Sequence, residues 1–253
     1  TDTANCTATY QLNIGPETQT FGYGWGAATW SLSTWGTART TSEIDIDLAQ
    51  WSLDNWGEDL IITQKNGATY VWDTSSGMSS NRATAIANAP TTSSLSLVTP
   101  ESRHLVCLGT ETTIADSSTQ DKMFIRWSDQ ENYNEFTANA INTSGSQRLA
   151  AGSEIRAAKA GRAETLIWTD TSIFSMQFIG APFTFGFKKL GSDCGIVGLN
   201  SGIIVQDVAY WMGDGTFFAY AGSVLEIPCS VKNYVFDDIN KVQYPQVYAG
   251  HNS

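Results

Sequence analysis

Two pairs of neighbouring carboxylates come closest to a chemical constellation in this 253-residue chain. Asp45-Ile46-Asp47 reads as a strand, where residues two apart share a face, so both carboxylates would sit side by side. Such a pair can hold a cation or act as acid and base in glycoside hydrolysis. On an edge strand the same residues form a solvated, aggregation-blunting face, and that is the preferred reading. Asp237-Asp238, at the end of an apolar stretch, is read the same way.

A serine nucleophile would need a base within reach and a Gly-x-Ser-x-Gly elbow, and no such elbow occurs. The two histidines are His104, at a strand start, and His251, near the end of the chain. Both are read as structural or surface residues, and they are too far apart in sequence to suggest a zinc site. Cys6, Cys107, Cys194 and Cys229 are too widely spaced for a paired metal motif and too few for a disulfide framework, which favours a reducing compartment. Gly22-Tyr23-Gly24-Trp25-Gly26 looks like a phosphate loop, but no helical pattern follows it. Trp25, Trp30, Trp35, Trp51 and Trp56 could stack on sugars, although filling interfaces is the simpler use. Arg148, Arg156, Lys159 and Arg162 form a small basic cluster, taken as a solvated face. Asn5-Cys6-Thr7 and Asn142-Thr143-Ser144 match the glycosylation triplet. These residues predict no catalytic, cofactor or metal site, and the chain is not expected to be an enzyme.

The elements that would position these residues are strands. Charged residues make up only 15% of the chain, against about 25% in an ordinary domain. Polarity comes instead from 29 Thr, 25 Ser and 22 Gly, beside 9 Trp, 9 Tyr and 11 Phe. That composition excludes disorder and a helical bundle and predicts an all-β fold. The net charge of −11 disfavours tight binding to nucleic acid or to anionic membranes. No apolar run reaches membrane-spanning length, so no membrane span is expected. The opening TDTANCTATY has neither Met nor a signal-peptide pattern, and a fragment of a longer protein is expected.

Four strand pairs recur along the chain. They are Leu60–Thr63 with Thr69–Trp72, Leu105–Leu108 with Met123–Trp127, Leu166–Thr169 with Ile173–Met176, and Val208–Trp211 with Thr216–Ala219. Lys65-Asn66-Gly67 turns the first pair and Gly213-Asp214-Gly215 the last. The pairs begin at 60, 105, 166 and 208, spaced by 45, 61 and 42 residues, near the repeat of a propeller blade. Glu43–Leu48 and Ser94–Val98 are candidate flanking strands, and 152–164 reads as helix or strand. The expected architecture is a β-propeller-like array of short antiparallel blades, incomplete in this chain, with a β-sandwich of irregular strands as the alternative. It forms one region over 1–253, with 78–99 as a possible mobile insertion.

The segments WSDQENYNEF (127–136), AGSEIRAAKAGRAETLIWTDTSIFSMQFIG (151–180), GSDCGIVGLNSGIIVQDVAYWMGDGTFFAYAGS (191–223) and VKNYVFDDIN (231–240) add a further signal. In this order they resemble the propeller-bearing tail proteins of short-tailed bacteriophages. The group is the nozzle, or tail tubular protein B, with related tail hub and DNA-stabilisation proteins. The resemblance runs from about Gly57 to Asn240 and rests on fold-bearing strings, so no catalytic position carries over. It implies a structural virion protein assembled in the host cytoplasm, with copies of itself forming a ring, hexameric in that family. Neighbouring tail or adaptor proteins would flank the ring, and genomic DNA would pass through its channel without tight binding. An acidic channel wall would ease that passage. Two alternatives remain open: a glycan- or receptor-binding propeller, and a propeller glycosidase using Asp45, Asp47, Asp237 or Asp238.

Overall fold

The computed structural model describes residues 50–75 and 82–252. The chain divides after Ala49 into two units, and all described residues fall in the second, Gln50–Ser253. Glu43–Leu48, Asp45 and Asp47, the glycine run 22–26, Trp25, Trp30, Trp35, Cys6 and the first glycosylation triplet lie outside the described residues.

Among the described residues, sixteen strands form four antiparallel sheets of four, each built from strands consecutive in sequence. Blade 1 comprises β1 (Trp51–Trp56), β2 (Asp59–Gln64), β3 (Thr69–Trp72) and β4 (Thr84–Ala85). Blade 2 comprises β5 (Leu95–Val98), β6 (Leu105–Leu108), β7 (Phe124–Trp127) and β8 (Gly145–Arg148). Blade 3 comprises β9 (Ile155–Ala160), β10 (Thr165–Thr169), β11 (Ser172–Phe178) and β12 (Phe185–Ser192). Blade 4 comprises β13 (Gly202–Val205), β14 (Val208–Met212), β15 (Phe217–Tyr220) and β16 (Val224–Glu226). A short helix, α1 (Lys232–Asp238), and a 3-10 segment at Lys241–Gln246 follow. This is an all-β, propeller-like array of antiparallel blades.

The second strands of the two middle blades, β6 and β10, are buried on both faces because each of these blades is sandwiched. Leu105 and Cys107 of β6 pack toward blade 1 with Ile61, Val71 and Phe136. Val106 and Leu108 pack the other way, with Met123, Ile125, Ile155 and Ile167. In β10 the alternation repeats: Ile167 joins that second cluster, while Leu166 and Trp168 join Ile173, Ala209 and Trp211 toward blade 4. A strand buried on both sides reads as a continuous hydrophobic run, so the periodicity of two appears only in the choice of partner.

The predicted strand pairs coincide with β2–β3, β6–β7, β10–β11 and β14–β15, and Ser94–Val98 with β5. In the first hairpin Asn66 alone takes a left-handed φ, +59°, while Gly67 bridges to Ser93. The ambiguous stretch 152–164 is strand β9, entered from Gly152 at φ +116° and left through a turn in which Gly161 N–H donates to Glu164 C=O at 2.8 Å. Of 78–99, residues 82–99 contribute β4 and β5 and bury Ile86 and Ala89, so that part is blade framework.

Sequence periodicity does not reveal β1, because its polar residues point inward. Ser52 Oγ accepts the Ser96 N–H at 3.0 Å, and Asp54 Oδ2 accepts the Val98 N–H at 2.7 Å, while Leu53 is 62% exposed. This hydroxyl and this carboxylate close the unpaired edge of β5. Behind them, Ser96, Thr63, Thr69 and Cys107 form a buried chain of side-chain contacts of 2.7, 2.9 and 3.7 Å across blades 1 and 2.

Candidate functional site

In an antiparallel meander, the start of the first strand and the connection between the second and third lie at the same end of the blade. Gln50, Ser94 and Glu154 stand just before β1, β5 and β9, and Lys65 and Lys122 lie in second-to-third connections. These residues meet Val197, Gly198, Leu199, Lys241 and Tyr244 around a cavity of about 260 Å³. Lys65, Lys122, Arg156, Lys241 and Glu154 line it, with Lys122 and Arg156 paired to Glu154 and Lys241 paired to Asp214.

A β-bulge aims the arginine. Trp168 pairs with Ala157 while the next residue, Thr169, pairs with Ile155, leaving Arg156 as the extra residue on β9. Bulges re-aim side chains in this way. Arg156 Nε donates to Glu154 Oε1 at 2.8 Å, and its Nη1 donates to the Ile196 carbonyl at 3.2 Å. Lys122 Nζ approaches the other Glu154 oxygen at 3.5 Å. Burial alone would push the Glu154 carboxyl up, but Arg156 and Lys122 outweigh it and hold it below the usual range.

The C-terminal segment forms one wall. Gln50 Nε2 donates to Pro245 C=O at 2.8 Å, and Ala249 N–H donates to Asn200 C=O at 2.7 Å. A Cβ on Gly198 would lie 2.8 Å from the Tyr244 carbonyl, so this close approach requires glycine. Lys241 Nζ and Tyr244 Oη both reach Asp214 Oδ1, at 3.2 and 3.1 Å. Those hydrogen bonds hold Asp214 below its ordinary value.

The second polar assembly surrounds His104, between blades 2 and 3. Nδ1 lies 2.8 Å from Ser102 Oγ, and Nε2 lies 3.1 Å from Thr143 Oγ1, which donates to Asp129 Oδ1 at 2.7 Å. Phe185 meets the ring edge-to-face with centroids 5.0 Å apart. Burial pushes His104 down to about 4, against the pull of the Asp129 charge. A serine beside a neutral imidazole resembles a nucleophile and base, but Ser102 is only 2% exposed and the adjoining cavity measures about 20 Å³. That space suits a water molecule rather than a substrate, and the arrangement is a lock between blades.

The Trp127-Ser128-Asp129 string owes its composition to this lock. Trp127 Nε1 donates to Thr143 C=O at 2.9 Å, Ser128 Oγ accepts the Leu105 N–H at 2.9 Å, and Asp129 also accepts the Thr143 N–H at 2.8 Å. Trp168-Thr169-Asp170 repeats the device in blade 3, where Asp170 accepts from Ser153 N and Oγ at 2.8 and 2.7 Å.

The remaining sequence candidates do not converge. Asp237 and Asp238 are exposed on α1, and His251 is exposed. The basic cluster separates: Arg148 pairs with Asp121 at 2.6 Å, Arg156 turns into the pocket, and Lys159 lies half-buried near Asp54. Cys107 and Cys194 are free thiols in different core clusters. Asn142 of the second glycosylation triplet is half-buried, and its Nδ2 donates to Thr137 C=O at 2.8 Å. Among the described residues no three His, Cys, Asp or Glu side chains gather as a metal would require, and no helix is long and apolar enough to cross a membrane. Lys65, Lys122, Lys241 and Tyr244 carried no local sequence signal; the only one available was a lysine in the second-to-third connection of two blades.

No known family matches the sequence, and no curated protein does. Among the solved structures similar to it are Hsv2 and BamB. Hsv2 from Kluyvelomyces marxianus shares 8% identity at a TM-score of 0.39, covering 70% of this chain and 47% of its own. BamB from Moraxella catarrhalis shares 13% identity at a TM-score of 0.40, covering 66% of this chain and 45% of its own. The chain thus spans less than half the length of either structure.

Proposed function

We propose that the chain is a structural, ring-forming tail protein of a short-tailed bacteriophage, of the nozzle or hub type. The resemblance of the segments 127–136, 151–180, 191–223 and 231–240 supplies the family, and one structural observation supports the assembly. Both outer blades keep apolar side chains exposed on the face turned away from the array. On blade 1 these are Trp51 and Leu53, 39% and 62% exposed; on blade 4 they are Tyr210 and Leu225, 42% and 61% exposed. Surfaces of this kind are covered in an assembly. The ring would surround the passage for genomic DNA and contact neighbouring tail or adaptor proteins.

The acidic-wall part of the expectation finds no support in the inner strands β1, β5, β9 and β13. Their charged residues are Asp54, Arg156 and Lys159. Passage of DNA would therefore depend on the ring's own channel rather than on the blade axis. Electron microscopy of the full-length protein, alone and within particles, tests the reading. A closed ring on a tail axis is expected; a monomer at all concentrations that binds a saccharide on a glycan array would overturn it in favour of a glycan-binding module.

A further inference from the structure

We propose that the cavity between β4 and the β7–β8 connection is a binding site for a neutral mono- or disaccharide. It measures about 430 Å³, within the usual range of small-molecule sites, roughly 300–1,000 Å³. Val71 and Ile86 of blade 1 supply its apolar lining, and Glu131, Asn132, Tyr133 and Asn134 of blade 2 supply its polar part. A third-to-fourth connection lies at the blade end opposite the second-to-third connections, so this cavity is separate from the one beside Glu154. The site does not rest on the ring reading, which electron microscopy judges by itself.

The polar groups are held in place before any ligand arrives. Tyr133 is half-buried, and its ring meets Trp56 edge-to-face with centroids 5.5 Å apart. The Arg103 guanidinium lies over the same Trp56 ring, 5.2 Å from its centroid, and pairs with Glu131 at 3.1 Å. One buried tryptophan thus anchors both the tyrosine and the cation that holds the carboxylate. Asn134 Oδ1 accepts the Asn88 N–H at 3.3 Å, and Asn132 Oδ1 accepts the Asn134 N–H at 3.0 Å. Each asparagine therefore keeps its Nδ2 group as the donor for a ligand. Arg103 and Glu131 also take left-handed φ values, +45° and +57°, and Glu131 N–H donates to Arg103 C=O at 3.0 Å. Strain of this kind clusters at ligand sites.

A sugar ring offers an apolar C–H face and a rim of hydroxyls that both donate and accept. The Tyr133 ring suits the face, while the asparagine amides and the Glu131 carboxylate suit the rim. Arg103 neutralises Glu131, the one charged group in the lining, so a neutral ligand is favoured over a phosphate or an acidic sugar.

The test screens the whole chain on an array of neutral glycans and titrates the strongest hit by calorimetry. Binding should be saturable and nearly unchanged by added salt, because the ligand carries no charge. Tyr133→Ala should weaken it about tenfold by removing the ring, and Tyr133→Phe should retain most of it. Asn132→Asp keeps an oxygen for the Asn134 N–H but removes the amide donors, and it should also weaken binding about tenfold. Tyr234→Ala, at a 78% exposed tyrosine on α1, should leave binding unchanged. Urea midpoints show whether Tyr133→Ala stays folded; if it does not, Asn132→Asp, which leaves the Trp56 contact in place, decides. The absence of any neutral glycan hit, or binding that survives Tyr133→Ala and Asn132→Asp, would overturn the proposal. A ring that binds no glycan overturns this site alone, and a monomer that binds one overturns the ring reading alone.

Discussion

Asp54 Oδ2 accepts the Val98 N–H at 2.7 Å, and through that bond the first strand of blade 1 caps the open edge of blade 2. Val98 is 8% exposed, so removing the carboxylate leaves the N–H of a buried residue without its acceptor. Asp54→Ala should therefore destabilise the protein by about 1–3 kcal/mol, the cost of an orphaned buried donor. Asp54→Asn keeps an acceptor and should cost less. Urea unfolding of the two variants beside the parent measures the difference, and equal losses would show that packing rather than the hydrogen bond is at stake.

His104 should make stability pH-dependent in a defined window. Its folded value is about 4 against an ordinary 6.5, so between those limits the unfolded chain binds more protons than the native one. Stability is complete above pH 6.5 and declines as the pH falls toward 4, by about 2–3 kcal/mol. The depressed carboxylates Asp129, Glu154 and Asp170 lose their contributions at lower pH, so they do not mask the effect. Thermal melts of His104→Gln should be flatter across that window; an unchanged slope would assign the effect to another group.

Trp168 and Trp211 should respond differently to the same substitution. Their rings meet at 5.6 Å between blades 3 and 4, and both are almost fully buried. Trp211 Nε1 donates to Cys194 C=O at 2.9 Å, whereas Trp168 Nε1 is buried without a partner. Replacement by Phe opens a similar cavity at each site, but only Trp211→Phe strands a carbonyl. Trp211→Phe should be the costlier by about 1 kcal/mol in denaturant titration.

Gly195 should tolerate no side chain. An added Cβ would lie 1.9 Å from the Asp170 carbonyl oxygen, part of the turn that leads from β10 to β11. Gly195→Ala is expected to cost about 3 kcal/mol through forced backbone movement. Gly222, at φ +85° with open space around its missing Cβ, provides the comparison; Gly222→Ala should cost about 1 kcal/mol from conformation alone.

Much of the blade framework was legible because LVCL, TLIWT and VAYWM are apolar runs bounded by turn residues. The inner strand β1 was hidden by its reversed polarity, with Ser52 and Asp54 inward and Trp51 and Leu53 outward. The helix α1 was hidden by its brevity and by the lack of a capping side chain at Val231. The pocket was illegible for a different reason. Lys65, Lys122, Arg156 and Lys241 belong to distant parts of the chain, and only the meander's geometry, with one bulge, carries them to a common end. His104 was readable as structural, but its partner Thr143 sits in a loop that no local pattern connects to it.

Each blade is woven from consecutive strands, and no strand crosses from one sheet into another. Tension applied between the two ends of the array would therefore load the blades in series. The outermost blade would peel away strand by strand while its neighbours kept their own sheets intact. Single-molecule stretching should record this as a staircase of separate ruptures, with the largest resistance where hydroxyl chains and the His104 lock join one blade to the next.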